Sequence, residues 1–178
     1  MKYLIAVTML ALASFSVASP WSFEEVVDQF EGTTKAYAYS DEVTSLDDLL
    51  YPYDGLKVRM VMTCSTESPF VHTFFRFSIN PTFVGGKPDY TRGVLDSNYG
   101  LKVKFDDGKL LTLRAGKNAV SKDAVVYSSI VWPVRAKHSL KVRFNIHSQD
   151  ALYEFNLKNS NKSINEMLAS CNSKRNQK

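Results

Sequence analysis

The sequence predicts a mainly β protein: an antiparallel β-sandwich (or open barrel) of seven to eight strands, with a short N-terminal helix and a C-terminal helix. Three observations predict it. Short runs of alternating apolar and polar residues recur along most of the chain. Turn signals at regular intervals separate neighbouring runs, which favours antiparallel pairing over crossover connections. A capping-box sequence opens a helical pattern near the C-terminus. With 178 residues, 44% hydrophobic and 22% charged, the chain has the balance of one folded domain.

The first 18 residues read as a secretory signal peptide. Lys2 precedes an apolar run from Tyr3 to Ala13, and Ser16-Val17-Ala18 puts small residues at the last and third-last positions of a cleavage site. The run falls short of the roughly 20 apolar residues that a membrane-spanning helix needs. Cleavage between Ala18 and Ser19 would leave a single domain over residues 19–171 and a flexible basic tail over residues 172–178. No later segment is apolar enough to span a bilayer. The expected location is therefore periplasmic or secreted, with no transmembrane anchor after cleavage.

The elements follow in order. Phe23, Val26, Val27 and Phe30 recur at helical spacing, with Glu24 and Glu25 in the first turn and Gly32 at the end, so residues 20–31 predict a helix. Tyr37 and Tyr39 alternate with alanines and predict a strand. Ser45 to Leu50 predicts a helical turn, stopped by Pro52 and Asp54-Gly55. Residues 56–64 alternate, with Leu56, Val58, Met60, Met62 and Cys64 on one face and Lys57 and Arg59 on the other. Residues 70–79 form an aromatic strand, Phe75, Phe77 and Ile79 on one face, Phe74 and Arg76 on the other. Residues 80–100 are turn-rich, with one short strand near Tyr90 to Leu95. Leu101, Val103 and Phe105 alternate with lysines, and Asp107-Gly108 then predicts a hairpin to Leu110. Residues 123–131 fit a strand or a buried helix. Leu140 to Ile146 and Tyr153 to Leu157 predict two more strands. Ser163-x-x-Glu166 is the capping box that opens the last helix.

Cys64 and Cys171 are the only cysteines. An even count in an oxidising compartment predicts one disulfide. Cys64 lies on the apolar face of its strand, and Cys171 shares a helix face with Ile164, Met167 and Leu168. In the chain-entropy model, closing a loop of about 100 residues contributes about 4.7 kcal/mol. There is no C-x-x-C pattern to suggest a redox pair.

Motifs for catalysis are scarce. His72, His138 and His147 share no metal-ligand spacing. No Gly-x-Ser-x-Gly elbow is present. Asp47-Asp48 and Asp106-Asp107 fit a helix start and a hairpin turn better than an acid/base pair. Gly85-Gly86 lacks a following Gly-Lys-Ser/Thr. The reading is therefore of a non-enzymatic protein with no cofactor and no metal. The net charge of +4 is mild and its lysines and arginines are scattered, which argues against nucleic acid as partner. Lys57 with Arg59, Lys102 with Lys104, and Lys141 with Arg143 each lie two apart, and would form a positive face if their strands were neighbours. Phe83, Tyr90, Arg92 and Tyr99 lie among turn residues, and Trp132 precedes a proline; these are the candidate interaction residues, because aromatic and arginine side chains dominate protein interfaces.

The layout resembles a family. Leu56-Lys57-Val58-Arg59 leads to Cys64, followed by the aromatic strand Thr73 to Ser78, then Tyr90-Thr91-Arg92. Lys109-Leu110-Leu111-Thr112-Leu113, Leu140 to Phe144, Tyr153 to Leu157, Ser163-Ile164 and Cys171 come next. This order resembles the VasI/TagO family of periplasmic proteins associated with type VI secretion, departing from it at Arg92-Gly93-Val94 and in having no tryptophan after Cys171. The resemblance implies a β-rich accessory domain in the cell envelope; a phage or mobile-element protein on the same scaffold fits equally. The function expected is binding to an envelope protein. Two alternatives stay open: an inhibitor of an envelope enzyme such as a lysozyme or protease, and a small hydrolase with no recognisable motif.

Overall fold

The computed structural model describes residues 19–82, 87–89, 96–118, 122–127 and 130–175. The strands are β1 (Trp21–Asp28), β2 (Thr33–Ser40), β3 (Val43–Thr44), β4 (Lys57–Ser65), β5 (Ser68–Phe77) and β6 (Lys87–Asp89). Then come β7 (Asp96–Phe105), β8 (Leu111–Asn118), β9 (Asp123–Val126), helix α1 (Val131–Ala136), β10 (Ser139–Ile146), β11 (Gln149–Asn156) and helix α2 (Ser160–Arg175). All pairings are antiparallel.

The strands form one sheet in the order β1-β2-β4-β5-β9-β8-β7-β10-β11. β3 continues the line of β2 along β4, and β6 pairs with one edge of β7. The sheet is rolled over on itself without a β1–β11 ladder. The open-barrel form of the expected architecture is therefore the one adopted. Alternation places Val58, Met60, Met62, Phe75, Phe77, Val103, Val142, Phe144, Tyr153 and Phe155 inside, all buried. Rings from distant strands meet there. Phe144 lies edge-on to Phe75, Phe77 and Tyr153, with centroids 5.4, 5.1 and 5.8 Å apart, and Phe75 reaches Phe155 at 5.5 Å. Burial pushes the Tyr153 phenol upward, away from ionisation.

Helix α2 covers the inner face of β1, β2 and β4 at the open side of the roll. Ala36 and Ala38 on β2 leave room for it, and Ile164 and Met167 are fully buried beneath it. The Cys64 and Cys171 sulfurs lie at bonding distance, 2.07 Å. The expected pairing of an early strand with the last helix is therefore present. The Ser160 hydroxyl donates to the Val134 carbonyl at 2.7 Å and so ties α2 to α1.

Four expectations change. Residues 20–31 are not a helix; they form β1 and its turn. Their helical stripe has no apolar surface to lie on, because α2 already occupies the inner face beside β2. The backbone instead gains an eight-residue ladder with β2, and Val26-Val27 and the aromatics suit a strand as well as a helix. Residues 45–50 make bends, not a helical turn, and their groups bind β11. α2 opens at Ser160, not at the Ser163 capping box, because Asn159 takes a left-handed conformation (φ 67°) and turns the chain early. It runs to Arg175, so residues 172–175 of the expected tail are helical. The strands number eleven among the described residues, since β1 was expected as helix and β3 and β6 are only two and three residues long. Over residues 123–131, β9 ends at Val126 and α1 begins at Val131.

The β7–β8 connection holds Asp106 in a left-handed conformation (φ 47°), where its carboxylate accepts the His138 and Ser139 N–H groups, both at 2.9 Å. These hydrogen bonds, with Lys137 nearby, hold the Asp106 carboxyl below the usual carboxylate range. Its contribution to stability is complete above the unfolded-state pKa of about 3.9 and is lost as pH falls through the lower folded value. Asp106→Asn, which keeps the left-handed preference, should flatten the acid limb of the stability profile below about pH 4, measured by urea unfolding across pH. Cys64→Ser with Cys171→Ser should lower stability by about 2–5 kcal/mol in the same assay.

Candidate binding face

The outward positions of β2, β4, β5, β9 and β8 form a grid set by strand register. One row runs Tyr37–Thr63–His72, from β2 through β4 to β5. The next runs Tyr39–Val61–Phe74–Val125–Gly116, reaching β8. A third runs Arg59–Arg76–Asp123. A solvated sheet face ordinarily carries isolated charges; this one interleaves aromatics with arginines.

Each arginine is held in place. The Arg59 guanidinium lies 5.4 Å from the Tyr39 ring centroid and donates to Glu42 at 3.0 Å. Arg76 lies 5.2 Å from the Phe74 centroid and grips Asp123 through two hydrogen bonds, 2.9 and 3.0 Å. That bidentate carboxylate keeps the Arg76 guanidinium more firmly protonated than usual. Arg114 lies 5.7 Å from the Tyr127 centroid. Such cation–π contacts contribute about 0.5–1 kcal/mol each at exposed sites. Their larger effect is to fix flat, rigid groups in a face that needs little further ordering on binding. Tyr127 lies across Gly116, where any Cβ would collide with its ring. Between β2 and β5 the face sinks into an open depression of about 320 Å³ lined by Lys35, Tyr37, Thr63, His72, Phe74 and Arg76.

The residues singled out in the sequence are placed as follows. Phe83, Tyr90 and Arg92 lie outside the described residues, as do Ala18 and the rest of the signal segment. Ser19 is exposed, and its hydroxyl accepts the Trp21 N–H at 3.3 Å. The Tyr99 backbone lies in β7 opposite Ala115, on the strand beside β8 and in a different row from the grid's aromatics. Trp132 is 71% exposed on α1, with Arg135 at 6.0 Å from its ring centroid. Trp132 thus sits on α1, not on a strand of the outer grid. Of the three basic pairs, two meet: Lys102 stands opposite Arg143 and Lys104 opposite Lys141, because β7 and β10 are neighbours. Lys141 and Arg143 also reach Glu154 and Asp150 on β11, at 3.7 and 3.8 Å. Lys57 and Arg59 lie apart on β4.

The three histidines are dispersed: His72 on the outer grid, His138 after α1, and His147 in the β10–β11 turn with its ring 6.2 Å from Tyr53. Among the described residues, no three His, Cys, Asp or Glu side chains are grouped to hold a metal ion. Asp47 of the Asp47-Asp48 pair accepts the Leu152 N–H at 2.9 Å. No described helix is long and apolar enough to cross a membrane.

The grid escaped the sequence reading because β5 pairs with β9, 47 positions away at Arg76 and Asp123. The available signal was local: Tyr37 and Tyr39 outward on one strand, Phe74 and Arg76 outward on another. Comparison of the chain with protein-family models, with curated proteins and with solved structures gave no match. Gly116→Ala should expel the Tyr127 ring from its seat while leaving the inner core intact. The check is an NMR spectrum in which Tyr127 ring shifts move towards free-tyrosine values and the buried Phe144 and Tyr153 resonances stay in place.

Proposed function

We propose that this chain is a secreted or periplasmic, non-enzymatic binding protein that engages a protein of the cell envelope through the outer face of β2, β4, β5, β9 and β8. The observation that carries the reading is the outward interleaving of half-buried Tyr37, Tyr39 and Phe74 and exposed Tyr127 with Arg59, Arg76 and Arg114. Tyrosine and arginine are the residues most enriched at interface hot spots. A rigid sheet also presents them without the ordering cost that a loop would add. The Cys64–Cys171 bond supports the location, since such bonds persist in oxidising compartments. The order of sequence motifs, which resembles that of the VasI/TagO family, is compatible with an accessory role in secretion, and a phage or mobile-element origin is equally compatible.

Site-specific photo-crosslinking in the native envelope tests this. A crosslinker at Tyr37 or Phe74 should trap one protein in stoichiometric amount, and one at Leu110, which is exposed on another part of the surface, should not. Tyr37→Ala with Phe74→Ala should abolish the adduct formed by a crosslinker at Tyr127 while the circular dichroism spectrum is unchanged. No adduct at any grid position would overturn the binding reading, and turnover of a cell-wall or peptide substrate by the purified chain would overturn the non-enzymatic one. If the trapped protein is a hydrolase whose activity falls in the complex, the same face serves an inhibitor.

A further inference from the structure

The sheet has two outer edges, and they are treated differently. Along β11, pairing with β10 leaves the backbone groups of Asp150, Leu152, Glu154 and Asn156 directed outward. The loop after β3 covers much of that edge. The Leu46 N–H donates to the Leu152 carbonyl at 2.7 Å, and the Leu152 N–H donates to Asp47 at 2.9 Å. The Asn156 carbonyl accepts the Trp21 indole N–H at 2.8 Å.

Along β1 the polarity is equally readable. The Asp41 N–H donates to the Pro20 carbonyl at 2.8 Å, so Pro20 and Asp41 are a hydrogen-bonded pair in a register that sets Trp21 against Ser40. Such pairs recur at every second residue. Ser22, Glu24, Val26 and Asp28 therefore bond to β2, and Trp21, Phe23, Glu25 and Val27 direct their backbone groups outward. β1 ends the strand order, so no strand pairs with this edge among the described residues. β1 contains no proline and no lysine, and its ladder to β2 has no bulge; what guards the edge is the carboxylates of Glu24, Glu25 and Asp28. Val26 and Val27 are 46% and 50% exposed on opposite faces, and Phe30 in the turn is 98% exposed.

The charge is one-sided. Residues 21–31 carry Glu24, Glu25, Asp28 and Glu31 and no lysine or arginine, in a chain whose net charge is +4. The Glu25 carboxylate accepts the Ser170 hydroxyl from α2, which keeps it at the edge. Two copies of β1 pairing with each other would bring carboxylates together, which disfavours self-association.

Resting on the binding reading above, we propose that β1 is a docking edge. An extended, basic segment of the partner, lysine or arginine alternating with apolar residues, adds to it as a further strand. Backbone hydrogen bonds from Phe23 and Val27 hold the segment. The acidic stretch selects its charge, and the added strand continues the outer face beyond Tyr37 and Tyr39.

The probe is an acetylated octapeptide of alternating lysine and valine, titrated onto the full chain by fluorescence anisotropy. Saturable binding is expected. Val27→Pro should weaken it by about tenfold or more, because the outward N–H is lost while the ladder to β2, which does not use that group, is kept. An unchanged unfolding midpoint in Val27→Pro checks that the ladder survives. The peptide N-methylated at its four central residues tests the same bonds with no change to the protein and should not bind. Equal binding by the N-methylated peptide, or by an alternating glutamate–valine peptide, overturns the proposal. A concentration-dependent dimer that Val27→Pro abolishes also overturns it, in favour of a second copy. Crosslinks at Tyr37 and Phe74 that persist in Val27→Pro with the same partner sink only the edge proposal, whereas their absence in the wild-type chain sinks the face.

Discussion

A sheet that rolls up without closing must find another cover for its inner surface, and here that cover is α2. Ala36 and Ala38 lower the floor, Ile164 and Met167 fill the space, and Cys64–Cys171 bolts the helix to the strand beneath it. The aromatic cluster of Phe75, Phe77, Phe144, Tyr153 and Phe155 depends on this, because it joins the two halves of the roll only while the open side is kept dry. The outer face depends on it in turn: its rows are aligned by the register of strands whose inner residues are packed here.

How much of this is legible in the sequence varies with distance along the chain. β4 and the apolar stripe of α2 are plain, since burial on one face writes a period of two or of 3.6 directly into the residues. The pairing of Cys64 with Cys171 followed from there being only two cysteines, and the same two patterns agreed with it. The strand β1 was not legible, because its spacing of apolar residues satisfies a helix and the competing claim of α2 on the inner surface is visible only in three dimensions. β3 and β6 are too short to show a period. The binding face was half legible. Its outward aromatics could be named strand by strand, but their adjacency rests on β5 meeting β9, and no local pattern encodes that neighbour. The turn residues favoured by sequence lie for the most part outside the described residues, and Trp132 and Tyr99 lie on different elements, α1 and β7.

The two basic strand pairs illustrate a further physical point. Lys102 against Arg143 and Lys104 against Lys141 place like charges directly opposite, an arrangement that costs stability in a sheet. Glu154 and Asp150 on β11, together with Asp107 at 3.9 Å from Lys104, offset the repulsion. The positive face anticipated from sequence is thus a mixed one, with acids supplied by the next strand and the hairpin turn.

The hydrogen bond from Trp21 to Asn156 joins residues 135 positions apart. It brings the first strand of the sheet to the last, and α2 seals the gap only after both are present. Nearly the whole domain must therefore be present before the roll can complete, and any shorter portion leaves its phenylalanines uncovered. Folding of such a topology is slow and late by construction. The phenylalanines of an incomplete roll are an aggregation hazard until α2 docks over them.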